Sequence, residues 1–341
     1  MKKIVSIIIA VIFMIGCLCA CGTVENQKEK KKTENSSDKI HIVTTIFPEY
    51  DWVLNILGEN PGHAEVTMLL DSGVDLHSYQ PTADDIQKIS ACDMFVYVGG
   101  ESDEWVKDAL KQASNKNMVV VNLLDILGDN AKEEKVVEGM EAEEEDEKEE
   151  KEETKEEKPE YDEHVWLSLR NASALAGTLS DKLQSIDPEN AEVYKKNTKD
   201  YVRKLNSLDK QYQKAVSRAD VKTLLFGDRF PFRYLTDDYG LDYYAAFVGC
   251  SAETEASFET VSFLAKKVDE LSLHSVMTIE GTDHRIAETI IRNTKKKDQQ
   301  ILTMDSMQSV TAKDVNQGVT YLSVMEKNLS VLKKALKKEA D

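Results

Sequence analysis

Short runs rich in β-branched and apolar residues alternate with longer stretches of helical periodicity along this chain, and the alternation occurs twice. His41–Phe47, Ala64–Leu70, Met94–Val98 and Met118–Asn122 read as strands, with Asp51–Leu57, Thr82–Ser90 and Ser102–Gln112 as helices between them. The second series has strands at Val221–Phe226, Asp242–Phe247, Ser275–Ile279 and Gln300–Met304, and helices at Phe232–Asp238, Ser257–Leu271 and His284–Lys296. Strands that alternate with helices imply parallel sheets covered on both faces. The pattern predicts an α/β fold of two βαβα lobes, at 40–187 and 218–341. Between them, 188–217 reads as one long helix. Asp187 suits its N-cap, Pro188 its first position, and Val193, Tyr194, Tyr201, Leu205, Leu208 and Tyr212 fall at helical spacings.

The ends and the middle of the chain depart from this pattern. Lys2 and Lys3 precede an apolar run, Ile4 to Ile15, too short to span a bilayer permanently, which describes a secretory signal over 1–20. It closes in Leu18-Cys-Ala-Cys21-Gly22, which resembles a bacterial lipobox with Cys21 as the acylated residue; Met14-Ile-Gly-Cys17 is the weaker alternative, because it strands apolar residues on the mature side. More than one acyl chain on Cys21 would anchor the protein stably in the lipid bilayer. From Gly22 to Lys39 almost nothing is apolar, so 21–39 is expected to be a flexible tether.

The run Glu133–Glu160 carries more than half of the formal net charge of −19, and blocks of like charge usually stay solvated and disordered. Any metal it attracts would be held weakly through oxygen donors. Without a basic patch, and with this excess of acid, no nucleic-acid partner is expected. Beyond the signal and Cys21, the cysteines are Cys92 and Cys250, one in each lobe, and both read as buried free thiols.

Two segments carry the candidate chemistry. Gly73-Val-Asp-Leu-His77-Ser-Tyr-Gln-Pro-Thr82 and Tyr161-Asp-Glu-His164-Val-Trp166 each set one histidine beside turn-forming and acidic residues. A loop histidine taken singly is more often a solvated residue than a ligand. Two on separate loops can bind one cation if the fold brings the loops together, and neutral imidazole is the commonest protein ligand for zinc. His77 follows the second strand, and ligands of open α/β sheets sit outside the carboxyl ends of strands. His41, His63, His274 and His284 have no such setting.

Both segments closely resemble the metal-contacting loops of the solute-binding proteins that feed zinc and manganese to ABC importers, roughly Gly-x-Asp-x-His-x-Tyr-x-Pro-Thr and Asp-x-His-Val-Trp-Leu. Val98-Gly-Gly-Glu-Ser-Asp-Glu-Trp105, Asp187-Pro-Glu-Asn190 and the acidic run just before the second motif fit the same family, over nearly the whole chain from about Ile40. The resemblance implies a metal site in the cleft between the lobes, a rigid helix spanning both, Zn²⁺ or alternatively Mn²⁺ as the ion, an ABC permease as partner, and a lipid-anchored, extracytoplasmic monomer. It implies His77 and His164 as ligands. The family's third ligand, His or Glu, falls in Phe226-Gly-Asp-Arg-Phe-Pro-Phe-Arg-Tyr-Leu235, which has neither; Asp228 is the nearest donor there, with Glu253, Glu255 or water as alternatives. Asp305, directly after an apolar run, matches the family's closing aspartate. The rival readings are a surface adhesin and a metallohydrolase. Neither an H-E-x-x-H helix nor a nucleophile elbow supports the hydrolase.

Overall fold

The computed structural model describes residues 39–58, 61–141, 160–251 and 255–337. The expected signal segment 1–20, Cys21, all of the tether but Lys39, the stretch 142–159 and Glu253 lie outside these residues.

The two apolar series become two four-stranded parallel sheets. β1 (Ile40–Thr44), β2 (Ala64–Met68), β3 (Met94–Tyr97) and β4 (Val119–Asn122) lie in the order β2-β1-β3-β4, and β5 (Thr223–Phe230), β6 (Asp242–Val248), β7 (Ser275–Ile279) and β8 (Gln300–Met304) lie in the equivalent order β6-β5-β7-β8. In the first lobe the strands are connected through α1 (Phe47–Leu57), α2 (Ala83–Ala91) and α3 (Val106–Lys111), followed by α4 (Leu123–Leu127) and α5 (Leu169–Ile186). α6 (Ala191–Ser217) is the long helix, and α7 (Arg233–Tyr239), α8 (Phe258–Leu271), α9 (Arg285–Asn293), α10 (Ala312–Asn316) and α11 (Tyr321–Ala335) belong to the second lobe.

α6 packs on both lobes. Tyr201 donates its hydroxyl to Asp51 Oδ2 of α1 at 3.2 Å, and Tyr212 donates to the Met325 carbonyl of α11 at 2.6 Å. Leu205 and Leu208 between them are buried, each stabilising by roughly 1.5–3 kcal/mol. A continuous apolar core runs beneath this helix from Ile42 and Trp52 in the first lobe to Leu224 and Tyr321 in the second. A smaller cluster, around Leu225, Leu264, Val276 and Ile290, fills the far face of the second sheet.

Several features differ from the sequence reading: the long helix starts at Ala191 with Asn190 at its N-cap, and Asp187 instead closes α5. α5 and α11 were not expected, although Leu169, Ala172, Leu175, Ala176, Leu179 and Leu183 form a regular buried stripe on α5. Strand β5 runs past Phe226 to Phe230 through a bulge: Phe226 pairs with Ala245 but Arg229 with Phe247, so one extra residue is accommodated. Residues 133–141 of the run expected to be disordered are ordered. Glu133 bridges Tyr161, the Glu141 N–H donates to the Ala246 carbonyl at 2.9 Å, and Met140 is buried, so the apolar residues within 133–141 seat this part on the second lobe.

Candidate metal centre

Both histidines sit at short 3₁₀ turns built by the same local device. Asp75 accepts the backbone N–H of His77 at 3.0 Å, and Asp162 accepts that of His164 at 2.9 Å, each an aspartate bonding the backbone two residues on. The turns come from separate segments of the first lobe, yet they bring His77 Nε2 within 3.2 Å of His164 Nε2. The other ring nitrogens are held from behind. Asp162 Oδ1 lies 3.1 Å from His164 Nδ1, while Ser102 Oγ lies 2.8 Å and Glu163 Oε2 3.5 Å from His77 Nδ1. A carboxylate only accepts, so His164 carries its proton on Nδ1 and turns the Nε2 lone pair toward His77. The Glu163 carboxylate also accepts the Ser102 N–H at 2.9 Å, and it fits because Gly100, at φ +82°, has no side chain where the carboxylate lies.

Among the described residues, one group of side chains places three potential ligand atoms within 4.8 Å of one another: His77, His164 and Cys250. Cys250 follows β6, so the second lobe contributes it. Its backbone N–H donates to Glu134 Oε1 at 3.4 Å. Gly249, just before it, passes so close to the imidazole that a Cβ would lie 3.0 Å from His164 Cε1.

Electrostatics favour the neutral forms here. Burial, reinforced by the neighbouring His164, pushes His77 down to about 3, which keeps the ring neutral at ordinary pH, with one nitrogen lone pair free of a proton. Burial, followed by the charges of Glu163, Asp162 and Glu134, pushes the Cys250 thiol well up. Burial, then Asp162 and Glu160, raises Glu134 to about 7, and burial raises Glu163. Acidic groups packed around neutral donors make a place where a cation relieves unfavourable charge.

The two expected carboxylates have other partners. Asp228, on the β5 bulge, accepts from the Ile279 N–H at 3.2 Å, Thr282 Oγ1 at 2.9 Å and its neighbour Arg229 N–H at 2.9 Å, so it ties β5 to the turn after β7. Arg229 swings instead across the cleft and pairs with Asp75. Asp305 caps its own turn, accepting from the Met307 N–H at 2.8 Å. Its backbone is clamped on both sides by the Asn328 amide, and burial raises its carboxyl. Neither joins the group around His77, and Glu255 is exposed. Beside the group, a cavity of about 410 Å³ is lined from the first lobe by Asp75 and Ser78 and from the second by Arg229, Ser251 and His284.

Cys250, which the sequence presents only as a buried free thiol, is the site residue that was not expected. A signal was present. The apolar run of β6 ends directly at Gly249-Cys250, and the carboxyl end of a strand is where cleft residues are found.

Residues 42–335 match the family model described as zinc-uptake complex component A, periplasmic. The chain is 30% identical over 329 residues to the high-affinity zinc uptake system protein ZnuA of Bacillus subtilis, covering 96% of each. It is also 30% identical to the zinc-binding lipoprotein AdcA of Streptococcus pneumoniae, of which it spans 61%. The zinc-bound ZnuA-like domain of that AdcA is similar in structure, with a TM-score of 0.66, 29% identity, and coverage of 87% of this chain and 99% of the domain. With its two like sheets, its long shared helix and a family match that spans both lobes, the chain belongs to the family of zinc-uptake complex component A.

Proposed function

We propose that this protein captures Zn²⁺ outside the cytoplasm and passes it to an ABC permease, holding the ion between His77 and His164. The family is one of binding components, and the chain is not an enzyme. One observation carries the assignment of the site. Two nitrogens bound at about 2.05 Å to a tetrahedral ion stand about 3.3 Å apart, and the facing Nε2 atoms stand at 3.2 Å. The rings need no large movement to receive the ion. Mn²⁺, the other cargo that the resemblance admits, prefers oxygen donors and a larger shell, which this group of side chains does not supply.

Cys21 is proposed as the acylated anchor, with the tether giving the lobes reach and the protein acting as a monomer. Cys21→Ser should release the protein from membranes with zinc affinity unchanged. Zinc calorimetry tests the site: wild type should bind one ion, and His77→Ala or His164→Ala should lose that binding. Wild-type affinity in either histidine variant would end this reading.

A further inference from the structure

Which cations a two-imidazole site accepts depends on its third donor. The family places a histidine or glutamate on the segment that here forms the β5 bulge, but Asp228 is bonded away from the centre and Arg229 carries a positive charge into the cleft. The next strand supplies a donor of a different kind. Cys250 is half-buried as a residue with its thiol turned inward, and its loop is fixed on each side of the thiol. Glu134 accepts its N–H, Arg229 Nη1 donates to the Ser251 carbonyl at 3.5 Å, and the absent side chain of Gly249 lets the backbone close on His164. A second observation points into the same place. The Gln308 side chain, 6% exposed, comes from the second lobe and lies within hydrogen-bonding reach of the His77 ring, so polar groups of both lobes close on this pair of imidazoles.

We infer that Cys250 is the third metal ligand, giving a two-histidine, one-thiolate donor set that selects thiophilic divalent ions, Zn²⁺ and Cd²⁺, over Mn²⁺. The inference rests on the metal-capture reading of this site and narrows its cargo. Coordination replaces the S–H bond by a bond from sulfur to the metal, and the proton leaves to the buffer. Thiolate is a soft donor, well matched to zinc and poorly to manganese, whereas a glutamate in that role would serve both. Sulfur binds zinc at about 2.3 Å and nitrogen at about 2.0–2.1 Å, distances that a group already within 4.8 Å reaches by small side-chain rotations.

Cobalt(II) is the probe, because it takes zinc's geometry and gives a near-ultraviolet sulfur-to-cobalt charge-transfer band only when a thiolate is bound. Titrated anaerobically, the purified protein should show that band, and zinc should protect Cys250 from alkylation by iodoacetamide; both readouts use the wild-type protein and need no variant to fold. Cys250→Ser should bind cobalt without the band and bind zinc at least about 100-fold more weakly, one ligand's share of a structural zinc site. Cys250→Asp should narrow the preference for zinc over manganese. If the wild type binds cobalt without the band and Cys250→Ser keeps wild-type zinc affinity while His77→Ala loses it, the thiolate inference falls and the capture reading stands. If the wild type binds neither cobalt nor zinc, both fall.

Discussion

The two sides of the centre are built by different means. On the first-lobe side, each histidine is aimed by an aspartate two residues before it, and the 3₁₀ turn, the cap and the ligand occupy one short segment. On the second-lobe side, the residue that reaches the centre is decided by a bulge in β5, by the pairing of β5 with β6, and by what Asp228 and Arg229 bond to at a distance. Local devices specify the first side and long-range register specifies the second. The first side is therefore expected to tolerate change in the other lobe, whereas the second should respond to every partner that sets its register.

The largest expected effect is on the locally built side. Removing either imidazole should cost several kcal/mol of zinc binding, since structural zinc sites hold on the order of 10 kcal/mol or more across about four ligands. Zinc should accordingly raise the melting temperature of the wild type in a concentration-dependent way and leave His77→Ala nearly unmoved. A zinc-dependent rise of equal size in His77→Ala would show that the two sides had been assigned the wrong weights.

The next effect separates ligands from the residues that hold them. Glu163→Gln keeps the shape beside His77 but removes the charge behind its ring, and outer-shell changes of this type weaken metal binding by about 10–100-fold. Calorimetry should find Glu163→Gln between wild type and His77→Ala; an affinity equal to that of His77→Ala would mean that Glu163 itself contacts the ion.

Asp228 sharpens the comparison from the other side. Because its carboxylate satisfies the Ile279 N–H and the Thr282 hydroxyl, Asp228→Ala should lower folding stability by about 1–3 kcal/mol, the cost of leaving buried donors unpaired. Zinc affinity should stay within a few-fold of wild type. A loss of affinity as large as that in the histidine variants, measured on protein that still unfolds cooperatively, would return Asp228 to the ligand set.

The effect with least bearing on the centre is in the first lobe. Burial, and then the charge of Asp103, raises Glu49 from its ordinary 4.5 to about 8, although Thr45 and Ile46 donate to its carboxylate. A carboxyl with a raised folded-state pKa gives stability that is fully present below 4.5 and is lost as pH rises toward about 8. Denaturant midpoints of the wild type should fall relative to those of Glu49→Gln over that interval. A difference independent of pH would show that Glu49 is ionised throughout.

Most of the architecture could be read from residues because its signals are short in range. The stripe of tyrosines and leucines that carries α6, the alternation that produces both sheets, and the Asp-x-His turns all act within a few residues. The same signals lay unread in α5 and α11, whose buried faces repeat at helical spacing. The β5 bulge is another matter. One added residue reverses which face the following side chains occupy, and the only local hint of it is the glycine at 227 within the strand pattern. Asp228 and Asp305 were drawn into the expected ligand set by position alone, whereas the side chains they meet, Thr282 and Asn328, come from other elements. Only the placed β6 loop shows that Cys250 joins the histidines.

Anomalous diffraction from zinc-loaded crystals, recorded on both sides of the zinc edge, tests the central claim most directly. The account predicts one strong peak about 2.0–2.1 Å from the Nε2 atoms of His77 and His164 and about 2.3 Å from Cys250 Sγ. A peak held by Asp228 or Asp305 with either imidazole turned away would contradict it.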